Sequence, residues 1–178
     1  MTEMRDNKKV DLKALLRFLA EFIKHPIDKI SALPNWNWSS LFVVQFLLAI
    51  VSGNVAGLIK LIFFRVASGI ILMPFVSTVA ALLLALFLYY YFQFFEKRTE
   101  DYRKIFTLVI LSSIPFYLFQ ILSEYLAPVS LIGFGFTALL AVVGLCDNFN
   151  VRKQRAYQLI GSVFILVLAA WILNRATA

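Results

Sequence analysis

The chain has 178 residues and a formal charge of +7, and 61% of its residues are hydrophobic, against roughly 45–50% in soluble domains. A soluble protein of this size spreads its charges over amphipathic helices; here they are confined to connectors between five uncharged apolar stretches. That placement excludes a soluble globular fold, leaves no room for a second domain, and offers no dedicated basic surface to nucleic acid. The expected fold class is all-α: a polytopic membrane bundle of five transmembrane helices, preceded by a cytoplasmic interfacial amphipathic helix.

Residues 1–9 are polar and read as a flexible N-terminus. Residues 10–38 read as an amphipathic helix and a linker. Leu12, Leu15, Leu16, Leu19, Phe22 and Ile23 recur at helical spacing, while Lys13, Arg17, Glu21 and Lys24 fall on the opposite side. Such a helix is too short and too charged to span. It is expected to lie in the interface with its cations on anionic lipid headgroups, in preference to a protein partner that would use the same pattern. Pro26 ends it, because the residue before a proline avoids the α region. No cleavable signal peptide is expected, since no apolar core precedes residue 39.

The transmembrane domain is placed at 39–178, with spans at about 41–59, 68–93, 105–123, 129–146 and 157–174, each near the roughly 20 apolar residues that a crossing needs. Trp36 and Trp38 before the first span, Tyr89–Phe92 ending the second and Trp171 ending the fifth read as interfacial belts. Ile62, Phe63 and Phe64 read as a connector hugging the outer interface. Pro128 turns spans three and four into a tight hairpin. Seven Lys and Arg precede the first span, four lie in the 97–104 connector and three in the 152–155 connector; the remaining connectors and tail hold three of the seventeen. The positive-inside rule therefore places the N-terminus in the cytoplasm and the C-terminus outside, and a bacterial inner membrane is the expected compartment. On this orientation the sequon Asn37-Trp38-Ser39 is cytoplasmic and accidental.

Enzyme motifs are missing: there is no HExxH, no GxSxG, no glycine-rich phosphate loop and no acidic pair at catalytic spacing. His25 is the only histidine and Cys146 the only cysteine, so neither a metal site nor an intramolecular disulfide is expected. No cofactor is expected. Small and weakly polar residues form stripes instead: Pro74, Ser77, Ala81 and Ala85; Ser130, Gly133, Thr137, Ala141 and Gly144; and Gly53 with Gly57 beside Gln45, Ser52 and Asn54. They read as close helix packing in preference to a substrate path. Ser113, Tyr117, Gln120 and Glu124 share one face of span three. Glu124 sits at its outer turn, where ionisation costs little, and reads as solvated in preference to buried and functional. Asp147, Asn148 and Asn150 read as residues that solvate the end of span four. Candidate functional polar positions are thus Glu124, Gln120, Tyr117, Ser113, Pro115, Asn54 and Asp147.

The segment FIKHPIDKI before the first span, SSIPFYLF with Pro115 in the third, and NVRKQRAYQLIG entering the fifth resemble the Yip family, the Ypt-interacting-protein domain, over about residues 18–174. The resemblance implies five closely packed spans behind a cytoplasmic N-terminal region. It also implies a non-enzymatic role in binding or organising membrane components, since eukaryotic members are associated with vesicle trafficking and Rab-type GTPases. Those members carry an Asp-Leu-Tyr-Gly-Pro type motif; Asp11-Leu12 is followed by Lys13, so no GTPase-binding residue is carried over. The expected partners are the lipid bilayer with its anionic headgroups and either a membrane protein or a second copy. The alternative is an oligomeric small-molecule or lipid transporter, although five spans do not divide into two inverted halves.

Overall fold

The computed structural model describes residues 10–59, 63–123, 126 and 128–177, and their side chains except those of 54–71, 171 and 174–177. Glu124 lies outside the described residues, as do residues 1–9, Lys60 and the side chains of Asn54, Gly57, Arg65 and Trp171. The described residues form eight helices and no strand: α1 (Leu12–Lys24), α2 (Pro26–Ser31), α3 (Trp38–Ile59), α4 (Phe63–Phe94), α5 (Tyr102–Ser112), α6 (Ile114–Ser123), α7 (Val129–Phe149) and α8 (Lys153–Thr177).

Local chemistry sets the boundaries. Asp11 caps α1 by accepting from the Ala14 N–H at 3.1 Å, satisfying a donor that no helical carbonyl reaches. His25 breaks the helix and Pro26 opens α2 at its first position, where a missing N–H costs nothing. Asp101 caps α5 by accepting from the Arg103 N–H at 2.9 Å. Asn150 closes α7 in the left-handed conformation, with φ of 50°, which asparagine tolerates better than most residues.

Two elements depart from the sequence expectation. Span three is two helices, broken at Ser113. Pro115 has no N–H for the carbonyl four residues back and its ring crowds that turn, so α5 stops and α6 restarts. The apolar residues Phe63 and Phe64 belong to the first turn of α4 and not to a connector.

Three described segments are long and apolar enough to cross a membrane: Leu72–Phe94, Tyr102–Ser123 taken through the break, and Val129–Phe149. The apolar part of α3 whose side chains are described, Trp38–Gly53, is shorter. In the bundle α3 pairs with α4, α6 with α7, and α8 rests on α7. Helix α5 is the central element, touching α2, α3, α4 and α7, and every residue from Ile105 to Ser112 is buried. The small-residue stripes face inward: Pro74, Ala81 and Ala85 are buried on α4. At Gly133 an added Cβ would sit 2.7 Å from Phe119 Cβ and 3.3 Å from Phe116 Cα, so α6 and α7 approach closely because that side chain is absent.

The aromatic belts are partly core. Phe92 is fully buried and stacks on Phe149 at 5.3 Å. Trp38 stacks on Tyr102 and Phe106, and Trp36 meets the edge of Phe18 at 4.9 Å. Tyr90 and Phe95 remain exposed.

Candidate functional site

At one end of the bundle the α1–α2 hairpin is bound to the protein itself. Leu15, Leu19 and Phe22 join the core, and Phe22 is only 1% exposed, a burial that contributes about 2 kcal/mol. The expected six-residue interfacial face is therefore divided. Leu15, Leu19 and Phe22 dock inward, while Leu12, Leu16 and Ile23, with Ile27 of α2, stay exposed. At 100° per residue the exposed three form one narrow stripe, flanked on the far side by Lys13, Lys24 and Arg17.

The hairpin is anchored by residues that sequence reasoning placed in solvent. Asp147 accepts a hydrogen bond from Ser31 Oγ at 2.5 Å. Asn148 uses both halves of its amide: Oδ1 accepts from the Leu33 N–H at 3.1 Å, and Nδ2 donates to the Ile30 carbonyl at 2.7 Å. They clamp the end of α2 and the linker after it, Asp147 while still exposed to solvent and Asn148 from a part-buried position. Ile30 is 0% exposed and lies beside Gly144, where an added Cβ would stand 3.2 Å from Ile30 Cγ1 and overlap Leu108.

Three of the four cations of the 97–104 connector are equally committed. Lys104 donates to the Asn148 carbonyl at 2.8 Å and Arg98 to the Phe149 carbonyl. These are terminal carbonyls of α7, where positive charge also meets the negative end of the helix dipole. Arg103 reaches Asn35 Oδ1 at 3.2 Å. On α1, Glu21 pairs with Lys29 at 2.7 Å and with Arg17 at 3.3 Å. The Lys29 hydrogen bond and charge, with a smaller share from Arg17, hold the Glu21 carboxyl below its ordinary value of 4.5.

Inside the bundle a polar cluster joins α3, α4 and α6. Gln45 is 0% exposed, and its Nε2 donates to Tyr117 Oη at 2.9 Å and to Ser77 Oγ at 3.4 Å. Its Oε1 is buried without a hydrogen-bond partner. A cavity of about 200 Å³ beside this cluster is lined by Ser52, Ser77, Tyr117 and Gln120, among apolar neighbours. Of the four residues on the predicted face of span three, the structure brings Tyr117 and Gln120 to this cavity. Ser113 instead bonds the Ile110 carbonyl at 2.8 Å, and Glu124 lies outside the described residues. Pro115 acts through the helix break. Among the described residues no group of three or more His, Cys, Asp or Glu is arranged to hold a metal.

Long apolar helices that bury small and polar residues against one another define an integral membrane protein. The model of the Yip1 domain matches residues 20–174, and the chain belongs to that family, which is associated with membrane trafficking and is not a known enzyme family. Neither a curated protein nor a solved structure matches the chain.

Proposed function

We propose that this chain is a non-enzymatic multi-pass protein that binds or organises other membrane components. It crosses the membrane five times, α3 and α8 being the further spans, with the N-terminus cytoplasmic and the C-terminus outside. The observation that carries this reading is the α1–α2 platform. A firmly anchored hairpin leaves Leu12, Leu16, Ile23 and Ile27 uncovered beside a row of cations. An exposed apolar stripe with a charged border is the form of a lipid- or partner-binding surface. The platform rests in the headgroup layer, its cations on anionic lipids, and presents a fixed edge to a membrane protein partner or a second copy.

A second reading, transport by an oligomer, is favoured by one observation: the cavity lined by Ser52, Ser77, Tyr117 and Gln120. A single set of preparations tests both. Leu12, Leu16 and Ile23 are changed together to Ser, and cross-linked species from native membranes are compared with wild type. The triple variant is expected to melt like wild type and to lose its cross-linked partners; an unchanged set of partners overturns the adaptor reading. Solute or lipid flux from proteoliposomes that Gln120→Leu abolishes would put transport in its place.

A further inference from the structure

Helix α8 packs on α7 and stands off α4, and the space between α4 and α8 is a cleft with two unlike ends. At the end where α4 finishes and α8 begins, a cavity of about 410 Å³ is lined by Tyr91, Phe95, Arg155, Gln158, Leu159 and Ser162. A narrower cavity of about 140 Å³ lies between Leu84 and Leu88 of α4 and Ile160, Val163, Phe164 and Val167 of α8, with residues of α5 and α7 closing its inner side. Leu84, Leu88, Tyr91 and Phe95 fall on one face of α4 at helical spacing, and Arg155, Leu159, Val163 and Val167 follow one i, i+4 ridge of α8, so a ligand laid along that ridge meets both cavities.

The chemistry changes along the groove as it does across one leaflet. At the outer end Arg155 Nη1 pairs with Glu96 Oε1 at 2.8 Å. That pair occupies one of the five guanidinium donors. Glu96 is the more enclosed partner, with its side chain 16% exposed against 48% for Arg155, so it holds the guanidinium from behind while Arg155 lines the cavity. A planar guanidinium with free donors matches a phosphate, which it grips in a fork. Gln158, one turn along α8, adds an amide. From Arg155 to Val167 the helix runs about 18 Å at 1.5 Å per residue, close to half of a hydrocarbon core about 30 Å thick.

We propose that the α4–α8 cleft binds one glycerophospholipid, its phosphate on Arg155 and Gln158 and one acyl chain lying between Leu84, Leu88, Val163 and Val167. The site rests on α8 crossing the membrane, which labelling of the two chain termini tests separately. It is distinct from the α1–α2 platform, so losing the lipid leaves cross-linked partners in place if both readings hold.

Native mass spectrometry of the full chain in detergent tests it, with phosphatidylglycerol and a diacylglycerol of the same acyl chains as probes. The wild type is expected to retain one phosphatidylglycerol, at least about tenfold more tightly than the diacylglycerol, the scale of a lost charge-assisted hydrogen bond. The double variant Glu96→Gln with Arg155→Gln removes the ion pair as a unit and is expected to lower phosphatidylglycerol to the diacylglycerol level. Val163→Trp fills the inner cavity and is expected to release both lipids at an unchanged melting temperature. No one-to-one lipid on the wild type, equal retention of the two probes, or undiminished retention by Val163→Trp would each overturn the assignment.

Discussion

Asn148 shows how much a single amide does in this molecule. It ties one backbone group of α2 and one of the α2–α3 linker and also donates to the Gly144 carbonyl of its own helix at 3.1 Å. Truncating it leaves part-buried backbone groups without partners, which costs about 1–3 kcal/mol for each group so stranded. Asn148→Ala should therefore lower the melting temperature clearly. Asn148→Asp, which keeps the acceptor for Leu33 and loses the donor to Ile30, should fall between it and wild type. Melting in detergent followed by tryptophan fluorescence decides this, and an Asn148→Ala protein that melts with wild type would remove the clamp from the account. No spacing in the sequence announces such a contact, because its partners lie 115 and 118 residues away. Asp147 and Asn148 at a helix end are chemically indistinguishable from ordinary loop residues until the fold brings α2 to them. Gln45 was legible only as a weakly polar residue in an apolar helix; its role as the hub between Ser77 and Tyr117 depends on how α3, α4 and α6 meet.

At the scale of elements, the pairing of α1 with α2 has a pH dependence whose sign follows from Glu21. Its carboxyl is held below the ordinary 4.5 by Lys29 and then Arg17. The stabilisation is thus fully present above that value and is lost as pH falls through the lower folded-state pKa. Hydrogen exchange across α1 should rise in that acid window in the wild type. It should rise less in Glu21→Gln, which has no such carboxylate to protonate; identical acid profiles would show that the pair contributes nothing. Helix positions were largely readable, because apolar runs, Asp11, Asp101 and Pro26 carry local signals. The break between α5 and α6 is not legible in the sequence, since proline is tolerated inside many membrane helices and Pro74 indeed sits within an unbroken α4. The connector cations show the same limit: no spacing in the sequence tells that Arg98 and Lys104 turn onto the end of α7.

For the whole molecule, five crossings require the two termini to face opposite sides. In a Cys146→Ala background, a cysteine at Lys13 should react with an impermeant thiol reagent only from the cytoplasmic side, and one at Thr177 only from the outer side. Labelling of both from one side would mean an even number of crossings. Inside the membrane, lipid tails are as apolar as leucine, so cohesion there comes from close approach at Gly133 and from the Gln45 cluster. Phe22 and Ile30 are sealed by the packing of α1 and α2 onto the bundle. The clamp between the α2–α3 linker and the end of α7 also sets an order in time. Ile30 and Asn148 are separated by 118 residues, so when the hairpin leaves the ribosome its anchor has not yet been made. Through most of synthesis the hairpin therefore lacks the end of α7 that will hold it. Docking onto the bundle is then a late step, completed only after α7 is in place, and a chain halted before that point is left with its N-terminal hairpin unclamped.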